Sequence, residues 1–413
     1  MMEVLEHVPN ARRTGWSGAD LDSGRRVVLT LFDYCRARDW AGHDPYDALN
    51  SRLFACTPLV KSKVCRIVLT QLLKRSPIDL RSLLLVPRTQ NPKAIALFLT
   101  ASLKLSRLGL LQDEMLIGAL IERLVALRSP GISAWCWGYS FPWQGRHVLV
   151  PQWTPNLVCS TFVATALLDV YEQVGDSRCL DMALSAGNYI VSELYWTEGD
   201  LRAGFSYPLP GLRTQVHNAN FLAAALLARL AKLSRENRLL TPALRAARYS
   251  AHAQHEDGSW DYGELSSQRW VDNFHTGYNL CALRSLRCST GLDEFEEIVR
   301  RGYEYYVRNF FTDDHVPKYF ANTTYPIDVH CVAQSVMTLL EFTDLDKNSA
   351  ELARSVYKWA MKHMWDAQGY FHYQVFPFMK NRISYMRWSQ AWMLLALTTL
   401  LGHAEREAGE ESA

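Results

Sequence analysis

The 413-residue chain lacks a charge imbalance: 44 lysines and arginines stand against 42 aspartates and glutamates, a net charge of +2. Phosphate backbones are bound through a concentrated positive excess, so nucleic acid is not an expected partner. One basic stretch, around Arg66, Lys74 and Arg75, reads as a solvated helix face. No uninterrupted apolar run reaches about 18 residues, so no membrane-spanning helix is expected. The longest candidates, 221–233 and 392–401, suit buried core helices. The N-terminal residues contain no apolar segment of the kind a secretory leader needs. Nine cysteines (Cys35, Cys56, Cys65, Cys136, Cys159, Cys179, Cys281, Cys288 and Cys331) include no CxxC pair, and their number is odd. That argues for a reducing compartment over a disulfide framework, and a soluble cytoplasmic protein is expected. P-loop, GxGxxG and GxSxG motifs are absent, which removes the main support for nucleotide, dinucleotide and serine-hydrolase chemistry. His252-x-x-His255 is not HExxH, so neither metal nor cofactor is expected.

What the chain does have is a repeat. Four aromatic loops, Gly204-Phe-Ser-Tyr207, Gly258-Ser-Trp-Asp-Tyr262, Pro317-Lys-Tyr-Phe320 and Gly369-Tyr-Phe-His-Tyr373, each precede a polar cluster and then a long apolar segment. The clusters are His217-Asn-Ala-Asn220, Asp272-Asn-Phe-His275, Asp328-Val-His330 and Arg382 to Gln390. His217 to Asp272 is 55 residues and Asp272 to Asp328 is 56; another such step lands at Ser384. Going backward, Thr154-Pro-Asn156 and Asn91-Pro-Lys93 open similar helices. Two helices and two loops fill such a period, which is a helical hairpin. Segments after the clusters are apolar nearly all round, as buried helices are; those between them are amphipathic. This alternation predicts six inner helices, starting near 91, 155, 217, 272, 328 and 383, each backed by an outer one. An all-α (α/α)6 toroid with little strand follows; an open solenoid is the alternative, but its repeats are usually shorter. Short β-hairpins are the most expected of the loops at Gly204, Gly258 and Gly369. Residues 1–90 are expected to pack on the toroid and partly cover it, 91–402 to form it, and 403–413 to be a disordered polar tail.

In a closed ring every cluster lies at the N-terminal end of an inner helix, so residues about 55 apart converge on one funnel. The rim then carries carboxylates (Asp272, Asp328), imidazoles (His217, His275, His330), amides (Asn218, Asn220), cations (Arg146, Arg269, Arg382, Arg387) and aromatics including Trp137, Trp143, Trp260, Trp270, Tyr385 and Trp388. Flat rings stack on the C–H face of a pyranose while amides and carboxylates read its hydroxyls, so an oligosaccharide or polysaccharide is the expected partner. Asp272 and Asp328 are candidate proton-transfer groups, one protonated and one ionised; the competing reading makes each a helix N-cap. His275 and His330 sit near the first helical turn beside each aspartate, and either could tune or share the proton transfer. Asp44 and Asp47 are reserve carboxylates, and the loop 135–153 is a candidate lid. Arg382 and Arg387 suit a carboxylate-bearing sugar, since guanidinium forks match carboxylates. The oligomeric state is left open.

Over residues 90–402 this pattern resembles the six-hairpin, carbohydrate-active toroid superfamily, which includes unsaturated glucuronyl hydrolases, N-acylglucosamine epimerases and uronyl C5-epimerases. The resemblance implies a glycosidase-like acid and base at Asp272 and Asp328. Tyr385-Met-Arg387-Trp388 is also similar to a segment near the end of uronyl C5-epimerases, where a tyrosine and a carboxylate exchange the C5 proton; this implies a catalytic Tyr385. Gln254-His-Glu-Asp-Gly-Ser-Trp260 resembles a repeat of triterpene cyclases, but no DxDD-like motif accompanies it. The stretches 137–144 and 269–277 are similar to proteins of polysaccharide-biosynthesis clusters. The resulting expectation is an enzyme that cleaves or remodels a glycan, with a C5-epimerase and a non-catalytic glycan-binding scaffold as alternatives.

Overall fold

A computed structural model describes residues 16–412. Fourteen α-helices are described: α1 (Gly18–Arg36), α2 (Arg52–Ala55), α3 (Lys63–Arg75), α4 (Pro92–Arg107), α5 (Glu114–Ala126), α6 (Leu157–Val174), α7 (Ser177–Tyr189), α8 (His217–Ser234), α9 (Leu240–His252), α10 (Asn273–Thr290), α11 (Glu296–Asn309), α12 (Val329–Glu341), α13 (Ser349–His363) and α14 (Trp392–Ser412). Helices α4, α6, α8, α10, α12 and α14 are the inner staves. Each packs on the next, and α14 packs back on α4, so the ring closes as a toroid. Outer helices α5, α7, α9, α11 and α13 each back the inner helix that precedes them.

The sixth outer helix comes from the opposite end of the chain: α1 packs along α14. Residues 18–36 therefore belong to the ring itself, and only the following segment, to about residue 90, sits on its rim. Residues 403–412 continue α14. Ala404 is buried, Glu405 pairs with Arg25 of α1 at 2.9 Å, and Glu407 approaches Arg354 of α13 at 3.8 Å, so the polar sequence is the outward face of a packed helix. Helix α6, with mean hydropathy 1.3, is long and apolar enough to cross a membrane, but here it is an inner stave between α4 and α8.

Inner helices start where polar side chains accept the otherwise unpaired N–H groups of the first turn. Asn91, Asn156, Asp272 and Asp328 cap α4, α6, α10 and α12 in this way. No side chain caps α8; its first N–H donates instead to the carbonyl of Tyr262. The sixth junction departs from the period. A π-type turn, Met386–Ala391, precedes α14, which begins at Trp392 rather than near 383. Interlayer contact is tight: a Cβ added to Gly302 of α11 would stand 2.7 Å from the Trp260 ring.

Strands are short. β1 (Trp143–Gln144) pairs with β2 (Leu149–Val150), and β3 (Tyr195–Glu198) with β4 (Arg202–Phe205). β5 (Ile327–Asp328) joins β8 (Gln374–Val375) and β9 (Lys380–Asn381), while β6 (Trp365–Asp366) pairs with β7 (Tyr370–Phe371). The loops at Gly204 and Gly369 thus carry hairpins. The one at Gly258 does not; it turns at φ +93° and forms only an isolated bridge, Val216 to Gly263.

Candidate active site

The N-terminal ends of the inner helices surround one cavity of about 800 Å³. Lys93 of α4, Val158 of α6, Asn218 of α8, Phe274, His275 and Tyr278 of α10, His330 of α12, and Arg387 and Trp388 before α14 all line it. The rim is completed by Tyr46, Lys74 and Arg75 from the N-terminal segment and by Trp143 and Arg146 from the β1–β2 hairpin. Arg146 donates to the carbonyl of Ser267 at 3.0 Å, and His147 meets Ser267 Oγ at 3.0 Å, so this hairpin reaches across to the loop before α10. The size suits a small saccharide, and the lining mixes rings with a few polar groups as ligand sites do.

Asp272 and His275 form its most organised polar unit. Asp272 Oδ1 accepts from the backbone N–H of His275 at 2.9 Å, and Oδ2 lies 2.7 Å from His275 Nδ1 and accepts from Trp270 Nε1 at 3.0 Å. With both oxygens occupied, the Asp272 side chain is 1 % exposed while that of His275 is 21 % exposed. The carboxylate caps the helix and holds the imidazole by one nitrogen, which leaves Nε2 for the cavity.

Asp328 looks similar in sequence but sits differently. Its side chain is sealed off, accepting from His330 N (2.9 Å), Trp388 Nε1 (2.9 Å) and Gln374 Nε2 (2.8 Å). Burial raises its pKa against those three hydrogen bonds, which lower it. It does not border the cavity. His330 is also used internally: Nδ1 lies 3.3 Å from the Trp388 carbonyl, and Tyr278 Oη bonds Nε2. Burial, then the positive charges of Lys93 and Arg387, hold its pKa well below the usual histidine range, so it is neutral and accepts from Tyr278.

Several other expected site residues lie outside the cavity. Tyr385 is buried edge-on against Tyr373, beneath Arg81. Trp137 Nε1 donates to the Leu124 carbonyl at 2.7 Å, and Trp260 Nε1 to that of Ser250 at 3.1 Å; both are core. Asn220 ties Phe205, Gln215 and Ser250 together. Arg269 and Arg382 are exposed and do not line it. Arg387 does line it, but its fork is engaged: Nε and Nη2 donate to the two oxygens of Asp44 at 2.7 and 2.8 Å. Asp47 is likewise held by Arg81 at 2.7 Å, so neither reserve carboxylate is free. The stretch read as a solvated face is partly inside: Arg66 binds Gln144 at 2.8 Å, and Lys74 Nζ donates to Tyr46 Oη at 2.7 Å.

His217 is 2 % exposed and rests on Ser250 Oγ at 3.2 Å. Burial lowers its pKa to about 4. Between pH 6.5 and about 4 the unfolded chain therefore binds a proton that the folded one does not, and stability falls as pH falls through that window. His217→Gln is expected to remove a loss of about 3 kcal/mol from the pH 7 to pH 4 stability difference, measured as urea midpoints at both values; an unchanged pH slope would assign the loss to other groups.

Lys93 was not among the expected site residues. It is 3 % exposed, and Nζ lies 4.0 Å from the Phe162 ring centroid, 5.2 Å from Trp392 and 5.5 Å from Tyr278. No carboxylate pairs with it among the described residues, and burial, with Arg387 adding, holds its pKa well below the ordinary lysine range. A lysine in the first turn, at the head of the apolar run 94–99, was the available signal. Tyr207, Tyr262 and Tyr319 of the aromatic loops, with Tyr139, line the cavity; burial raises the pKa of all four, so they face it as neutral phenols. Among the described residues no three His, Cys, Asp or Glu side chains gather as metal ligands.

No sequence-family model matches this chain, and no curated protein matches it either. Its shape does have relatives. The cellobiose 2-epimerase of Bacillus thermoamylovorans superposes with a TM-score of 0.62 at 10 % identity, covering 78 % of this chain and 90 % of that one. A GH76 α-mannanase of Bacteroides thetaiotaomicron gives 0.60 at 11 %, covering 77 % and 86 %. A possible GH105 family member from Salmonella enterica gives 0.59 at 10 %, covering 98 % and 100 %. At such identities the likeness is one of architecture, and the chain has the (α/α)6 toroid fold of these proteins.

Proposed function

We propose that this chain is a carbohydrate-active enzyme that transfers a proton at a carbon of a saccharide held in the funnel, the chemistry of an epimerase. The observation that carries this reading is the fate of the two carboxylates. Hydrolysis by a carboxylate pair needs both groups open to the cavity, one on either side of the glycosidic bond. Here Asp328 is shut behind Trp388 and Gln374, and Asp272 is spent on capping α10 and holding His275. What remains for acid–base work is the His275 imidazole, with the Lys93 amine as a second proton carrier. His275 accepts the proton from a sugar C–H next to a carbonyl or carboxyl group. The charge of Lys74 and the converging inner-helix N-termini favour the enolate that forms. Return of a proton to the other face inverts that carbon.

Saccharide as the substrate is supported by the ring of tyrosines and tryptophans with Asn218, whose Oδ1 has no hydrogen-bond partner among the described residues. Two of the similar structures, by their names, act on cellobiose and on mannan. The test is incubation with reducing disaccharides and uronate oligosaccharides in D2O, read by mass spectrometry. A gain of one mass unit on a single sugar carbon, without new reducing ends, is expected. New reducing ends without deuterium would make the protein a hydrolase. Saturable binding with neither change would make it a glycan-binding scaffold.

A further inference from the structure

The segment between the first outer helix and the first inner one departs from the rest of the molecule. Of twenty large hydrophobic side chains exposed among the described residues, nine fall between Leu53 and Leu85. Helix α3 carries three of them at four-residue spacing: Val64 (68 % exposed), Val68 (49 %) and Leu72 (64 %). Leu59, Ile78 and Leu83 extend the patch on the flanking turns. A helix that turns an apolar stripe to the outside has its buried face unmade.

Charge is concentrated in the same place. Residues 52–88 hold eight lysines and arginines against one acid, Asp79, a net of +7 in a chain whose total is +2. Asp79 is already near Arg81, at 3.5 Å. Arg52, Lys61, Lys63, Arg75 and Arg88 are exposed, and no ion pair engages them among the described residues. The patch reaches the active-site mouth, because Lys74 and Arg75 at the end of α3 line the cavity.

We propose that the α2–α3 face docks on an anionic lipid membrane surface, with Val64, Val68 and Leu72 among the headgroups and acyl ends and the flanking cations on lipid phosphates. An apolar stripe edged with lysine and arginine is what such an interface takes up. A second copy fits poorly, since a two-fold contact would set the five exposed cations of one face against the same five of the other. Docking places the edge of the funnel beside the headgroups, where a saccharide carried on a lipid is presented.

The test is flotation of the full chain with vesicles of phosphatidylcholine alone or mixed with phosphatidylglycerol. Binding only to the anionic vesicles is expected, falling as salt is raised. Lys61→Glu with Lys63→Glu is expected to weaken that partition about tenfold or more, and Val64→Asp with Val68→Asp and Leu72→Asp to abolish it. All five positions are exposed, so circular dichroism and thermal melting stay as in the parent. Absence of flotation, or equal flotation of the Asp variant, overturns the proposal. Sedimentation showing a concentration-dependent dimer that the Asp variant loses, without vesicle binding, gives the face to a second copy. None of the five residues lines the cavity, so deuterium uptake by a free disaccharide is unaffected, and this test fails or succeeds separately from the proposed chemistry.

Discussion

Replacing His275 by alanine lowers the rate of proton exchange at the bound sugar about a thousandfold, because a positioned acid–base group contributes roughly a hundred- to ten-thousandfold. The loss is expected in kcat, with KM little changed, since the residue is partly exposed in the wall and does not hold the cavity together. Asp272→Asn is expected to lose nearly as much by a different route. An asparagine still caps α10. With its oxygen kept on the His275 N–H, however, its amide nitrogen stands where Oδ2 accepted from both Trp270 Nε1 and His275 Nδ1, so the imidazole no longer offers Nε2 as a base. Added imidazole should restore part of the activity of His275→Ala and none of that of Asp272→Asn. Retention of activity within tenfold by His275→Ala would remove this residue from the reaction and leave Lys93 as the base to test.

Arg387→Met is expected to cost about 3–5 kcal/mol of stability, the usual result of stripping one member from a buried ion pair. The reason is local. Asp44 and Arg387 are each about 5 % exposed, bonded through both carboxylate oxygens, and Asp44 would be left charged in a dry site. Asp44→Asn should cost a similar amount. The double substitution should cost less than the sum of the singles, since it removes both charges together. Urea midpoints of the four proteins give the coupling. Single losses below about 1 kcal/mol would mean that water reaches this pair and that it behaves as a surface bridge.

Much of the ring was legible because its cause is periodic. Five of six inner helices begin within two residues of the positions expected from a 55-residue period, and their burial is written in apolar runs such as 221–233. The sixth was displaced because a π-type turn is a departure from the hydrogen-bond period and leaves no residue pattern of its own. The site was legible in location but not in role. Asp272 and Asp328 look alike as letters, yet the spacing differs. His275 follows its aspartate by three residues and returns to the carboxylate; His330 follows by two and turns to Tyr278 and Trp388 instead. That one-residue difference is present in the sequence. The engagement of Arg387 by Asp44 was not readable, since 343 residues separate the partners and only the closed ring brings them together. Arg382, five residues before Arg387, illustrates the same limit: both belong to one polar cluster, and only the turn geometry decides which faces inward.

Helices α1 and α14 come from opposite ends of the described chain and share one hairpin position. No covalent loop joins them. During synthesis the ring therefore stays open, with its first outer helix lacking a partner, until residues beyond 392 have left the ribosome. Contacts of such sequence separation are slow to form because the loop entropy must be met first. The same adjacency means that the chain could be re-cut: a linker from α14 to α1, with new termini opened in an exposed loop such as that at Gly199, would turn the α1–α14 pairing into an ordinary hairpin and move the last closure of the ring to α6 and α8.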